Sequence, residues 1–253
     1  MNRIIAIINQ KGGSGKTTTT VNLGGYLASF NKKVLVLDLD PQANSTIHLG
    51  LKPHEVKKNI YDVMTEGINI SEVIKKTEIE NLQLSPANIN LSGVEIELAG
   101  IVGREMVLKE ALDQIIKNYD YIIIDCPPSL SLLTINALTA AKEIIIPVQT
   151  EFFALEGMGK LINTVEIVKQ RLNRDLKITG ILPTMFDTRT NLSREVVEKI
   201  NEYFGNKVYK TIIRKNIRLA EASSHGKPIL LYDPRSSGAE DYESFSKEVD
   251  YDQ

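Results

Sequence analysis

Continuous apolar runs alternate with helix-patterned stretches along this chain. Ile4 to Ile8, Val34 to Leu37, Tyr121 to Ile124, Ile144 to Val148 and Ile178 to Leu182 are short and rich in β-branched residues. Runs without a polar face are expected of strands buried on both sides of a parallel sheet. Between them, Leu108, Leu112, Ile115 and Ile116 recur at helical spacing, as do Leu161, Val165 and Val168. This alternation predicts an α/β fold: a doubly wound, mostly parallel sheet flanked by helices, with ligands beyond the carboxyl ends of the strands. Residues 51–100 are less regular and predict short helices plus a strand near Leu82-Gln83-Leu84. The tail from Gly238 to Gln253 predicts an acidic last helix that frays. No linker or repeat divides the sequence, so residues 1–253 are expected to form one domain.

The candidate chemistry starts where the first run ends. Lys11-Gly12-Gly13-Ser14-Gly15-Lys16-Thr17-Thr18 follows a strand and opens a helix, the context a P-loop requires. Glycines let the backbone adopt positive φ and bring N–H groups against phosphate oxygens, and the helix start adds partial positive charge. Lys16 is expected to bridge the β- and γ-phosphates of ATP, Thr17 to offer its hydroxyl to Mg²⁺, and Thr18 to meet the α-phosphate. A glycine-rich turn that merely connects strand to helix would not need strand, glycines, Lys-Thr and helix to coincide. Two acidic positions follow. The run Val34 to Leu37 leads into Asp38-Leu39-Asp40-Pro41-Gln42, where Pro41 is expected to stop the strand. Ile122-Ile123-Ile124-Asp125 reads as a Walker B strand, with Asp125 holding Mg²⁺ through water.

Composition narrows the setting. With 42% hydrophobic and 25% charged residues the chain is ordinary for a globular protein. Its net charge of −2 means that any binding to nucleic acid must come from a local patch. Cys126 is the single cysteine, which excludes an intramolecular disulfide and fits a reducing cytoplasm. No apolar run approaches the roughly 20 residues that span a bilayer, and no signal peptide is expected, because Ile4 to Ile8 runs straight into Asn9-Gln10-Lys11. The expected location is cytoplasmic, without membrane attachment.

An additional lysine separates this loop from an ordinary P-loop. Lys11 stands five residues before Lys16, giving the deviant Walker A form Lys-Gly-Gly-x-Gly-Lys-Thr. The chain thereby resembles the ParA/MinD class of ATPases. That resemblance implies that Lys11 reaches the nucleotide of a partner subunit, so that ATP joins two copies face to face. Within the class the chain is similar to chromosomal ParA (Soj-type) partition ATPases along nearly its whole length. The matching stretches are Asn9 to Gly13, Asp38 to Gln42, Asp125 to Ser129, Leu132 to Leu138, Ala154 to Gly157 and His225 to Ile229. By position, Asp40 would orient the attacking water. Ser14 departs from the usual valine, and its backbone makes the expected contacts. Arg214 and Ser223 depart from common prolines, Arg214 in a loop that approaches the adenine, so no base contacts are assigned.

Between Lys207 and Arg218 the chain carries five basic residues and no acidic one. Phosphate backbone is a natural partner for such a stretch. The resemblance points to Arg189 and Arg218 as DNA contacts, with Lys215 in support. Such binding would ignore sequence and fall steeply with salt. The resemblance further implies nucleoid association and a ParB-type centromere-binding partner that stimulates hydrolysis. Because the chain opens at its first strand, no operator-reading domain is expected. A scaffold ATPase that positions other cargo stays open, since cargo resides in the partner. A MinD-like membrane ATPase would need a basic amphipathic C-terminal helix, and this tail is acidic. A reductase of the nitrogenase-iron-protein kind needs more thiolates than Cys126 supplies, and a P-loop kinase leaves Lys11 without a role.

Overall fold

The computed structural model describes residues 2–151 and 157–251. Among these, seven strands form one sheet: β1 Arg3–Ile7, β2 Val34–Asp38, β3 Lys75–Lys76, β4 Leu82–Ser85, β5 Tyr121–Asp125, β6 Glu143–Gln149 and β7 Lys177–Thr184. Their order is β3-β4-β2-β5-β1-β6-β7, parallel throughout except β3, which runs antiparallel to β4 at one edge. All five runs expected to be strands are strands, and so is the segment at Leu82. The two-residue β3 leaves no pattern in the sequence. Strand β2 ends at Asp38, ahead of Pro41, so the proline does not terminate it.

Helices cover both faces. In chain order they are α1 Lys16–Ser29, α2 Asn44–His48, α3 Ile60–Glu66, α4 Val94–Glu97, α5 Val107–Asp113 and α6 Leu132–Ala140. They continue as α7 Met158–Arg171, α8 Asn191–Phe204, α9 Ile217–Ser224, α10 Ile229–Tyr232 and α11 Ser237–Tyr251. Successive strand side chains point to opposite faces, so each run feeds two cores. Ile4, Ala6, Leu35, Leu37, Ile122 and Ile124 pack with α3 to α8. Ile5, Ile7, Val34, Val36, Tyr121 and Ile123 pack with α1 and α9 to α11. Division of every strand between two layers is why the runs read as uninterrupted apolar sequence.

Helix α1 lies unusually close to the sheet. A Cβ at Gly24 would stand 2.9 Å from Val36 Cγ2, and one at Gly25 would stand 2.7 Å from Leu230 Cδ2. Each glycine costs a helix interior about 1 kcal/mol relative to alanine, and here that cost permits tight seating of the helix that starts at the phosphate loop.

Helix α11 departs from expectation. Instead of fraying, it buries Tyr242, Phe245 and Val249 against α1 and the sheet. Its acidic residues, apart from the buried Asp241, lie toward the outside, and its apolar face is spent in the core. No described helix is long and apolar enough to cross a membrane. His48, at the end of α2, is 1% exposed. Burial pushes its imidazole down to about 4, partly offset by the backbone of Lys227.

Candidate functional site

The carboxyl ends of β1, β2 and β5 meet at the phosphate loop. Gly13 and Gly15 have φ of 72° and 90°, conformations that side chains with a Cβ rarely adopt. Helix α1 then begins at Lys16, presenting unpaired N–H groups to the cavity. Neighbouring strand ends brace the loop. Thr184 Oγ1 donates to the Ser14 carbonyl at 2.9 Å, and the Lys11 N–H donates to Asn9 Oδ1 at 2.9 Å. Asn9 in turn donates to the Pro147 carbonyl at 2.7 Å. A Cβ at Gly12 or Gly13 would meet no atom within 4 Å, so these glycines border open space. Ser14 is fully buried and its hydroxyl has no partner, so only its backbone faces the loop's task.

Beneath the loop lie two carboxylates. Asp38 and Asp125 are register partners at the ends of β2 and β5, and both are fully buried. Asp125 Oδ2 accepts from Thr17 Oγ1 at 2.8 Å and from Ser45 Oγ at 2.7 Å. Its Oδ1 is buried without a hydrogen bond. Burial raises the pKa of both carboxyls, and Asp125 raises that of Asp38 further. Lys16 is buried with its Nζ 3.4 Å from the Lys11 carbonyl. Burial lowers its pKa, opposed by Asp125 and Asp40.

These residues fit a magnesium nucleotide. An orphaned buried oxygen on Asp125, with the Thr17 hydroxyl beside it, is a donor set suited to a hard divalent cation. Among the described residues no three His, Cys, Asp or Glu side chains cluster as a metal site. A cation here would therefore depend on Thr17, water and phosphate oxygens, which is how Mg²⁺ is commonly held.

A cavity of about 330 Å³ opens between Gly12, Gly13, Lys16, Asp40, Asn44 and Pro128. Asp40 lines it from the loop after β2, where Asp40 Oδ1 accepts the Gln42 N–H at 2.9 Å. Lys11 points elsewhere. Its Nζ lies 3.1 Å from Glu151 Oε2, and Gln149 Nε2 donates to the other oxygen of Glu151 at 2.6 Å. The Lys11 side chain is 38% exposed, so within its own subunit it does not enter the phosphate cavity. Of the matching stretch Ala154 to Gly157, Ala154, Leu155 and Glu156 lie outside the described residues.

Next to Gly15 and Thr18 is a larger, mostly apolar pocket of about 550 Å³, walled by Met185, Ile213, Ile217, Leu219 and Tyr242. Sequence reasoning left this pocket unassigned because its walls come from β7, α9 and α11. Arg214 stands on its rim. The Arg214 backbone N–H and its guanidinium both donate to Asp241, at 2.7 to 3.0 Å. Asp241 itself is 7% exposed.

The basic residues expected to meet DNA are only partly brought together. Lys215 N–H donates to the Phe186 carbonyl, so residues 186–189 and 214–215 run side by side. Arg189 and Lys215 thus share a shallow groove of about 300 Å³ with Arg214 and Ser237. The Arg189 guanidinium forks onto Asp187 at 2.9 and 2.7 Å and holds that carboxyl well below the usual range. Arg218 is outside this groove, paired with Glu221 at 2.7 Å and with Asp233 at 3.5 Å. The basic stretch from Lys207 to Arg218 is therefore no bare positive face: α11 and the loop before it supply Asp241, Glu240 and Asp233 as counter-charges.

A family model described as an AAA domain matches residues 2–178. The sporulation initiation inhibitor protein Soj of Bacillus subtilis is 56% identical over 249 residues, covering 98% of each chain. The chromosome partitioning protein ParA of Myxococcus xanthus is 48% identical, over 98% of this chain and 87% of that one. Among solved structures, a Mycobacterium smegmatis protein named cobyrinic acid a,c-diamide synthase, with a bound ATP analogue and magnesium, superposes with a TM-score of 0.87. It is 37% identical over 98% of this chain and 93% of its own. The Pyrococcus furiosus cell division ATPase MinD gives a TM-score of 0.81 at 26% identity, with both chains fully covered. Full-length identity to partition proteins, together with the lysine at the head of the phosphate loop, leads to one placement. The chain belongs to the Soj/ParA family of chromosome-partitioning ATPases.

Proposed function

We propose that this ATPase binds Mg²⁺–ATP, pairs with a second copy around two nucleotides, and in that form holds double-stranded DNA without regard to sequence. Lys16 and the loop N–H groups, including those of Gly12, Gly13, Ser14 and Gly15, receive the β- and γ-phosphates, with Thr18 at the α-phosphate. Thr17 and, through water, Asp125 hold the cation. Magnesium, when bound, neutralises charge between the β- and γ-phosphates. Asp40 orients the attacking water, and the apolar pocket beyond Gly15 takes the base. Lys11 leaves Glu151 to meet the nucleotide of the other subunit, adding a cation at the transferring phosphoryl group. Arg189, Lys215 and Arg218 contact phosphates from both subunits, so pairing doubles the contacts without changing either copy's charge. A ParB-type centromere-binding protein stimulates hydrolysis and resets the cycle, on the nucleoid within the cytoplasm.

The observation that carries this reading is Lys11: a lysine of the phosphate loop whose ammonium pairs with Glu151 and is not among the residues lining the phosphate cavity. The test is binding to a nonspecific duplex with ATP, with ADP and without nucleotide, over a salt series. Binding with ATP alone, weakening steeply with salt, is the expected result. Absence of binding in all three states, with ATP-dependent pairing intact, would sink the DNA assignment and favour a scaffold for other cargo. A membrane role is disfavoured by α11, whose apolar side faces the core.

A further inference from the structure

Asp38 has no part in the chemistry above, yet it accepts more hydrogen bonds than either Asp40 or Asp125. Its Oδ2 accepts from the Thr46 N–H and from Thr46 Oγ1, both at 2.7 Å, and its Oδ1 accepts the Asp40 N–H at 3.2 Å. Thr46 Oγ1 also accepts the Ala87 N–H at 2.9 Å, tying the start of α2 to the segment after β4. Asp38 is not among the residues that line the phosphate cavity.

This carboxylate is an expensive choice. It is fully buried and in register with Asp125, a position where a charge is costly unless it is held by hydrogen bonds. The segment it holds is also strained. Ala43 sits at φ 53°, in the left-handed region, and is 2% exposed. Such conformations cost about 1–3 kcal/mol and persist only when the surroundings over-determine them. The two points that Asp38 grips, Asp40 and Thr46, flank Ala43 on either side. At the far end of the same loop, Ser45 holds Asp125, so the grip joins the magnesium carboxylate to the loop that carries Asp40.

We propose that Asp38 is a positioning residue whose carboxylate clasps both ends of the 39–46 loop and so fixes Asp40 toward the phosphate cavity. The inference rests on the reading of Asp40 as the group that orients water. All three bonds run toward the carboxylate from N–H or O–H donors. An asparagine can accept through one atom only, and its NH₂ would face a backbone N–H.

The test compares steady-state ATP hydrolysis and affinity for a fluorescent ATP analogue in wild type, Asp38→Asn, Thr46→Val, Thr46→Ser and Asp40→Ala. Asp38→Asn is expected to lose roughly 10- to 100-fold in kcat, the scale of a displaced catalytic group. Its nucleotide affinity should stay within about threefold of wild type, because Asp38 lies outside the phosphate cavity. Thr46→Val should lose turnover in the same direction, and Thr46→Ser, which keeps the hydroxyl, should recover most of it. A folded Asp38→Asn with kcat within about twofold of wild type, beside an inactive Asp40→Ala, overturns the clasp and leaves the role of Asp40 standing. Loss of activity that merely follows a lowered melting temperature overturns it too. Equal turnover in wild type and Asp40→Ala overturns both readings. If Asp38→Asn fails to fold, the Thr46 pair decides: equal kcat in Thr46→Val and Thr46→Ser refutes the clasp.

Discussion

The phosphate loop and the basic groove are built on opposite plans. Around the loop, Lys16, Asp38 and Asp125 are buried, and strand ends fix the backbone through Thr184, Asn9 and Pro147. In the groove, Arg189 is 82% exposed on its side chain and its partner Asp187 is two residues away. A buried site concentrates its energy in single atoms and depends on proton occupancy. An exposed one spreads weak contacts over many screened charges. The first should therefore respond to point changes and pH, the second to ionic strength.

Four measurements would break or sharpen this contrast. The largest effect is expected for Lys16→Ala, which should lower ATP affinity more than about 100-fold by calorimetry, because among the described residues no other lysine or arginine is buried. Affinity within about tenfold of wild type would mean that the loop backbone alone suffices.

Next is pH. His48 has its folded pKa depressed to about 4 from 6.5, so its contribution to stability is intact above 6.5 and declines as pH falls toward 4. Between pH 7.5 and pH 5 the loss should be about 2 kcal/mol, seen as the difference in urea unfolding between wild type and His48→Leu. That difference isolates His48, since Asp38 and Asp125, being raised, change stability in the opposite sense. Parallel pH curves for the two proteins would remove His48 as the cause.

A smaller effect is expected in the groove. Arg189→Glu with Lys215→Glu should weaken duplex binding by roughly tenfold or more in the ATP state and flatten the salt dependence. ATP affinity should be unaffected by Arg189→Glu alone, since Arg189 lines neither the phosphate cavity nor the apolar pocket. Arg218→Glu should do less, because Glu221 and Asp233 already hold that guanidinium. A larger loss from Arg218 than from the pair would put the contact face on α9 instead.

The smallest concerns Ser14. Its buried hydroxyl lacks a partner, so Ser14→Val should stabilise the fold by about 1 kcal/mol with turnover preserved. A lower melting temperature would show that the loop has no room for the added methyl groups.

Short-range signals made much of this legible from sequence. The β-branched runs announce the strands because both faces of each are buried, and the loop from Lys11 to Thr18 carries its geometry in consecutive residues. What escaped notice depends on residues distant in sequence. The pocket beside Gly15 combines Met185, Ile217 and Tyr242, which no pattern links. Ser45 and Thr46 look like ordinary helix-start residues until the fold sets them on Asp125 and Asp38. The basic stretch seemed unopposed because its counter-charges, Asp233, Glu240 and Asp241, come from farther along the chain. The acidic tail suggested a fraying end because its buried face, Tyr242, Phe245 and Val249, is sparse and spaced by helix period.

The bond between Arg214 and Asp241 has an evolutionary corollary. Proline at position 214 would have neither a backbone N–H nor a guanidinium, so it would strip Asp241 of four hydrogen bonds at one stroke. A nearly buried carboxylate left without donors is costly, and lineages that exchange one residue are under pressure to exchange the other. Positions 214 and 241 should therefore covary, although 27 residues separate them along the chain. Where that pair switches, the rim of the apolar pocket changes its charge as well as its shape.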